Sequence, residues 1–329
     1  MKKFINSVDR LIEESLSGFG RAQADLVEVH FNPTFVKRKG RPRPKVAVIS
    51  GGGSGHEPLH VGFVGAGMLD AACPGQVFTS PRPDQMIAAA HAVNGGRGIL
   101  FIVKNYPGDS RDFHMASEML EIDNVIAMVD DDVTALHAPH MTGRRGVAGT
   151  VLVEKVVGAA AEEGWDLHAC KALAERVNKV SASMGVALTS CVVPAGGRPS
   201  FEIADNEIEV GVGLHGEPGR SREPLQPADA IVADLIDAIL SDLAPRPGTE
   251  VLLFINGFGA TPLIEQYLLF DSAARCLDQA GLKVTRSLVG TFATALEMAG
   301  ASVTVCLLDR EITRFWDAPV CTPALRRGL

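Results

Sequence analysis

The chain has 329 residues, 46% hydrophobic and 21% charged, close to the usual globular balance; that excludes intrinsic disorder and suggests two domains or one large one. Its formal charge of -8 offers no basic face to neutralise phosphates, which argues against a nucleic-acid partner. No apolar stretch reaches the about 18 residues of a membrane span, and the N-terminus lacks a signal-like apolar region.

In chain order, Phe4, Ile5, Val8, Leu11, Ile12, Leu16 and Phe19 recur at helical spacing, which predicts an amphipathic helix over 3–19. Residues 26–31, 45–50, 98–104 and 124–130 read as strands, the last three almost wholly apolar, with helices at 83–93 and 111–121 between them. Continuous apolar strands separated by helices mark a parallel sheet covered on both faces, the doubly wound arrangement. Helices at 150–163 and 167–182 follow, the second opened by Asp166. Beyond them come strand-like runs at 183–194 and 206–216, a helix at 227–243 and a strand at 251–257. A helix at 262–280, with Thr261 as its cap, and strands at 282–290 and 301–309 complete the series. The expectation is α/β: an N-terminal domain over 1–183 with a mostly parallel sheet, and a second, α+β domain over 184–329 whose last residues pack back on the first.

Six cysteines, Cys73, Cys170, Cys191, Cys276, Cys306 and Cys321, are dispersed with no CxxC pair. That usage fits buried, reduced thiols in a cytoplasmic protein and neither a disulfide framework nor a zinc site. His137 and His140 have a metal-like look, but Pro139 between them disrupts a helical ligand face and no third ligand is evident, so no metal is assigned.

The densest signal is Ser50-Gly51-Gly52-Gly53-Ser54-Gly55-His56-Glu57-Pro58, directly after a strand. Glycines there permit close approach of a ligand and positive φ angles, and strand ends of open α/β sheets are where ligands bind. A phosphate loop is excluded, because the segment ends Gly-His-Glu-Pro and lacks the Gly-Lys-Ser/Thr ending. Lys104 and Asp109 bracket a Pro-Gly turn after the next strand, where a carboxylate suits general-base work on a hydroxyl and an ammonium orients a polar ligand. The third signal is His215, set among Gly211, Gly213, Gly216 and Gly219; an uncovered neutral imidazole is a nucleophile. Gly143-Arg144-Arg145-Gly146 reads either as an anion or partner site or as an exposed basic turn.

Taken together, the segments SGGGSGHEP (50–58), CPGQVFTSPRPDQM (73–86), VKNYPGD (103–109), TGRRGVAGT (142–150), PSFEIADNEIEVGVGLHGEPG (199–219), GATPL (259–263) and WDAPVCTPAL (316–325) resemble the dihydroxyacetone kinases, specifically their substrate-binding subunit. The resemblance covers essentially the whole chain, with a shortened region near 244–250. It implies that His215 holds dihydroxyacetone as a hemiaminal on the ketone carbon. It implies that Gly53, Ser54, Gly55, His56 and Lys104 contact the sugar, and that Asp109 and His56 assist removal of the proton from the hydroxyl being phosphorylated. The covalent bond would separate a ketotriose from glycerol, which has no carbonyl.

The family's nucleotide domain, an all-helical barrel, is expected on a separate partner polypeptide that also carries the nucleotide and Mg, with no cofactor bound by this chain and a homodimer as its assembly. The phosphoryl donor stays open between ATP and a phosphotransferase-system phosphocarrier, and a four-carbon ketose such as erythrulose is an alternative substrate. The other reading is a non-catalytic ketose sensor acting on a transcription regulator; a sensor needs the trapping histidine but not the base, so His56 and Asp109 favour the enzyme.

Overall fold

The computed structural model describes residues 2–134 and 143–328; His137 and His140 lie outside the described residues. The chain divides into two compact units, one made of Met1–Val129, Thr150–Arg176 and Thr313–Leu329, the other of Asp130–Gly149 and Val177–Ile312.

The first unit opens with α1 (Leu11–Ala22), β1 (Val27–His30), β2 (Phe35–Arg38), β3 (Ala47–Ser54) and β4 (Ala71–Val77). It continues with α2 (Pro83–Val93), β5 (Ile99–Lys104), α3 (Pro107–Met119), β6 (Asn124–Val129), α4 (Gly149–Glu162) and most of α5 (Leu167–Lys179). Its sheet has the order β1-β2-β4-β3-β5-β6. The β4, β3, β5 and β6 pairings are parallel, and β1–β2 and β2–β4 are antiparallel. Ala47, Ile49, Ile99, Phe101 and Val103 bury one face against Met86, Ala89, Ala90, Phe113 and Ala116 of α2 and α3. Their neighbours Val48, Leu100 and Ile102 are equally buried on the other face, which is why these strands read as unbroken apolar runs instead of alternating.

Two local expectations are corrected here. The first helix starts at Leu11, not residue 3. Phe4 is fully exposed, while Asn6 Nδ2 donates to Glu14 and the Arg10 N–H to Ser7 Oγ, polar side-chain bonds that compete with helix in just this way. Second, the helix expected from 111 begins at Pro107. Proline suits the first helical position, so the supposed Pro-Gly turn is the first turn of α3.

The second unit contains β7 (Ser181–Ala187), β8 (Glu207–Val210), β9 (Ser221–Pro224), α6 (Ala228–Leu243), β10 (Glu250–Gly257), α7 (Leu263–Gln279), β11 (Lys283–Gly290) and β12 (Gly300–Leu307). The closing elements are α8 (Arg310–Asp317), β13 (Val320–Cys321) and β14 (Arg326–Arg327). Its six-stranded sheet runs β11-β10-β12-β7-β8-β9 and is antiparallel except between β10 and β11. Val232, Leu235, Ile236 and Ile239 of α6 fill its core with Leu253, Val303 and Val305.

The division differs from the expected 1–183 and 184–329. β7 pairs along its whole length with β12, from Ala187 opposite Gly300 to Ser181 opposite Cys306, so residues 181–183 belong to the second sheet. Residues 130–149 join the same unit, where Asp131 accepts hydrogen bonds from Ser183 Oγ and from the Val147 and Gly149 N–H groups. Thr261 is not a helix cap: its hydroxyl donates to the Gly300 carbonyl at 2.6 Å and accepts from the Gly300 N–H at 2.8 Å, tying the loop to β12.

Candidate functional site

The glycine segment is strand where a loop was expected. β3 runs through Gly51, Gly52 and Gly53 to Ser54, and within 51–55 only Gly55 has a positive φ, +98°. Crowding, not turning, requires these glycines. A Cβ on Gly51 would lie 2.5 Å from the Cys73 carbonyl oxygen, and one on Gly53 would lie 2.6 Å from Thr79 N. On Gly52 it would lie 2.2 Å from Lys104 Nζ and 3.4 Å from both Asp109 Oδ2 and His60 Nε2. Gly55 turns the chain, and its N–H donates to the Glu57 carboxylate at 2.9 Å. Ser54 Oγ donates to the Gly75 carbonyl, and His56 is buried and stacked on Phe78 with centroids 5.0 Å apart.

Beside β3, the end of β5 carries Lys104, whose side chain is wholly buried. Its Nζ lies 3.2 Å from Asp109 Oδ2, 3.1 Å from His60 Nε2 and 3.4 Å from the Gly51 carbonyl oxygen. Asp109 sits in the first turn of α3, also buried, where the helix N-terminus favours a carboxylate. The structure thus brings Lys104 and Asp109 together at the C-terminal edge of a parallel sheet. It adds His60, which sequence reasoning did not single out. His60 Nδ1 contacts Glu154 Oε1 of α4 at 2.6 Å and Ser50 Oγ at 3.0 Å. Burial, then the charge of Lys104, holds the His60 imidazole well below its ordinary range, and burial pushes the Glu154 carboxyl up to about 8.

His215 belongs to the second unit, on the turn that follows β8. The strand expected over 206–216 stops at Val210, and Gly211 and Gly216 adopt φ of +81° and +77° that only glycine takes without strain. His215 Nδ1 lies 2.6 Å from Glu217 Oε1, and the His215 N–H donates to Glu217 Oε2 at 3.1 Å. Gly213 makes room for that carboxylate, since a Cβ there would overlap Glu217 Oε2 and lie 2.5 Å from Arg145 Nη1. Burial alone would raise the Glu217 carboxyl, but the His215 hydrogen bond and the Arg145 charge hold it at about 2. Arg145 is not on an exposed basic turn. It is buried, donates through Nε to Asp132 at 2.6 Å, and braces the His215 turn through the Gly211 carbonyl at 2.7 Å. Arg144 pairs with Asp242. A visible signal for Glu217 was its place two residues after His215; for Glu154 it was a carboxyl inside the apolar helix TVLVEKVVGAA.

Among the described residues no cluster of three or more His, Cys, Asp or Glu side chains is placed to hold a metal, and no helix is long and apolar enough to cross a membrane. The six cysteines form no disulfide with one another, and burial pushes the Cys306 thiol up to about 11.

A buried ammonium–carboxylate pair at a parallel sheet edge and, separately, an imidazole oriented by a carboxylate on a glycine-rich turn are the polar centres of this α/β protein. The Dak1 domain model matches residues 17–324, and the chain belongs to that family. It is 44% identical over its whole length to the complete PEP-dependent dihydroxyacetone kinase, dihydroxyacetone-binding subunit DhaK of Escherichia coli. It is 45% identical, over 94% of its length and 95% of the relative, to a PTS-dependent dihydroxyacetone-binding subunit DhaK of Listeria innocua. Among solved structures it superimposes on the dihydroxyacetone kinase operon co-activator Dha-DhaQ with a TM-score of 0.92 at 31% identity, covering 96% of this chain and 99% of that one.

Proposed function

We propose that the chain is the dihydroxyacetone-binding subunit of a dihydroxyacetone kinase (an EC 2.7.1 phosphotransferase), a cytoplasmic homodimer that presents the ketotriose to a separate helical, nucleotide-carrying partner. The observation that carries this reading is the 2.6 Å contact between His215 Nδ1 and Glu217. Glu217 is ionised at neutral pH, its carboxyl being held at about 2, so Nδ1 must be the donor and the neutral ring carries its lone pair on Nε2. Nε2 attacks the ketone carbon, the carbonyl π bond opens, and a hemiaminal forms. The ring gives up the Nδ1 proton toward Glu217, and the former carbonyl oxygen gains one. Both terminal hydroxyls stay intact for recognition.

The tether then presents one hydroxyl for phosphorylation. Asp109 accepts the proton as that oxygen attacks the phosphoryl group, with His56 assisting and Lys104 balancing the charge on the buried carboxylate. Gly53, Ser54 and Gly55 shape the sugar pocket. The names of the E. coli and L. innocua relatives support a phosphoryl group that originates from phosphoenolpyruvate through the phosphotransferase system. The nucleotide and Mg belong to the partner, and the product is dihydroxyacetone phosphate. The likeness to a co-activator favours a second reading, a ketose sensor acting on a transcription regulator; a sensor needs the trapping histidine but not the base, so Asp109 and His56 favour the enzyme.

Soaking dihydroxyacetone into crystals is expected to give density continuous from the His215 ring to the ketone carbon, without nucleotide or partner. His215→Ala should lose the adduct and admit glycerol more readily. A ketone lying unbonded beside His215, or an Ala variant that excludes glycerol as well as the parent, defeats covalent selection. Erythrulose in the same experiment reports whether a four-carbon ketose is also held.

A further inference from the structure

The reading above assigns no part to Glu154 and His60, yet both are buried and lie in line with the proposed base. Lys104 Nζ, as an ammonium, is a donor with nothing to accept through. His60 Nε2, 3.1 Å away, must therefore accept, so the neutral ring carries its proton on Nδ1. That proton points at Glu154 Oε1, 2.6 Å away, and at Ser50 Oγ, 3.0 Å away, whose own hydrogen goes to the Ile102 carbonyl. Each heavy atom in the row from Glu154 to Asp109 then has a consistent role: carboxyl oxygen, N–H donor, ring acceptor, ammonium donor, carboxylate acceptor.

The reverse polarity breaks the row. If Glu154 donated to Nδ1, the ring proton would sit on Nε2 and face the ammonium, donor against donor. A Glu154 carboxyl raised to about 8 fits the first arrangement, with its proton on Oε2 (an atom without a hydrogen-bond partner) and Oε1 accepting. The ammonium's three hydrogens are thereby divided among His60, Asp109 and the Gly51 carbonyl.

We propose that Glu154 and His60 are positioning residues that hold Lys104 as an ammonium aimed at Asp109, and so set the direction of the carboxylate that receives the substrate proton. This rests on the reading of Asp109 as the base. Without the His60 acceptor, the fully buried Lys104 ammonium loses one of its three hydrogen-bond partners and is no longer fixed in direction, because an under-partnered buried ammonium is costly. The carboxylate would then lose the partner that fixes its Oδ2.

Two measurements test the proposal. Histidine-selective ¹⁵N NMR on the chain alone, with the His60 signals assigned by their loss in His60→Gln, should show a neutral Nδ1–H ring, and Glu154→Gln should keep it. An Nε2–H ring or a charged imidazole overturns the proposal whatever the activity. In turnover assays with the nucleotide-carrying partner, His60→Leu and Glu154→Leu are expected to lower kcat by roughly 10²-fold, the scale of a 1 Å misplacement. Their KM for the ketone and the His215 adduct should be unchanged. His60→Gln, which restores an acceptor near Lys104, and Glu154→Gln should recover most of the loss. Wild-type kcat in both Leu variants sinks the positioning role. Asp109→Ala is run beside them: if it too keeps full activity, the base assignment fails, and if it alone is inactive, only the positioning role fails.

Discussion

Replacing Gly52 with Ala places a methyl group 2.2 Å from Lys104 Nζ and 3.4 Å from Asp109 Oδ2 and His60 Nε2. Carbon contacts are comfortable only from about 3.5 Å, so the ammonium must retreat by more than about 1 Å. Its bonds of 3.2 Å to Asp109 and 3.1 Å to His60 would then stretch beyond hydrogen-bonding range. The side chain has no solvent to escape to, being wholly buried. Breaking a buried pair costs about 3 kcal/mol or more, which corresponds to a Tm lower by roughly 6–12 °C for a unit of this size. A reacting group displaced by about 1 Å loses roughly 10²-fold in turnover. Differential scanning calorimetry and the kinase assay measure the two effects, with Gly18→Ala as control. Gly18 lies in α1 with nothing within 4 Å of its added Cβ, so that variant should match or exceed the parent in Tm. A Gly52→Ala protein with parental Tm and turnover would refute the claim that this strand is glycine because of what lies beside it.

Other outcomes follow from the same geometry. Asp109→Ala should lower turnover by roughly 10²–10⁴-fold, the worth of a positioned base, while the ketone adduct persists; a fully active variant removes Asp109 from the chemistry. The folded protein holds the Glu154 proton up to about 8, whereas the unfolded chain releases it near 4.5. Stability attributable to this group therefore falls as pH rises between those values, and Glu154→Gln should flatten that part of the Tm profile. Glu217 acts in the opposite sense. Held at about 2, it contributes fully above 4.5 and loses its contribution as pH falls toward 2. With a third of its side chain solvent-exposed, that contribution is about 1 kcal/mol at most. Glu217→Gln should slow adduct formation on His215 by roughly tenfold, since the charge that steadies the developing imidazolium is gone; unchanged kinetics would leave Glu217 a merely structural neighbour.

The doubly wound half of the fold was legible because β3 and β5 are buried on both faces, and unbroken apolar runs report that condition directly, while the edge strand β6 is only partly buried. Phe4, Ile5 and Val8 misled for a related reason. Spacing records only where side chains would point in a helix, and here Phe4 and Val8 are solvent-exposed. Glycines 51–53 do not take the positive φ angles expected of them; what crowds them comes from Cys73, Thr79 and Lys104, neighbours only in space. Lys104 and Asp109 were readable because they stand five positions apart, where the end of β5 runs into the first turn of α3. The His60–Glu154 contact spans 94 positions, and no local pattern encodes such a pairing. Glu217 was close to His215 in sequence, but its grip on the ring depends on a turn whose backbone signs only the fold reveals.

The first unit is sewn together from three separate stretches, and its last stretch, Thr313–Leu329, reaches the segment that follows the His56 turn. There the Cys321 N–H donates to the Ala66 carbonyl and the Ala324 N–H to the Gly62 carbonyl. Gly65 and Gly67 pack so closely against Cys321 and Pro319 that neither could carry a side chain. On the ribosome, the second unit has all its residues once Ile312 has emerged, whereas the unit that begins the chain still lacks its final stitch. Synthesis order and completion order are thus reversed: the half carrying Lys104 and Asp109 is sealed last, and its 62–67 segment must wait until the closing residues arrive.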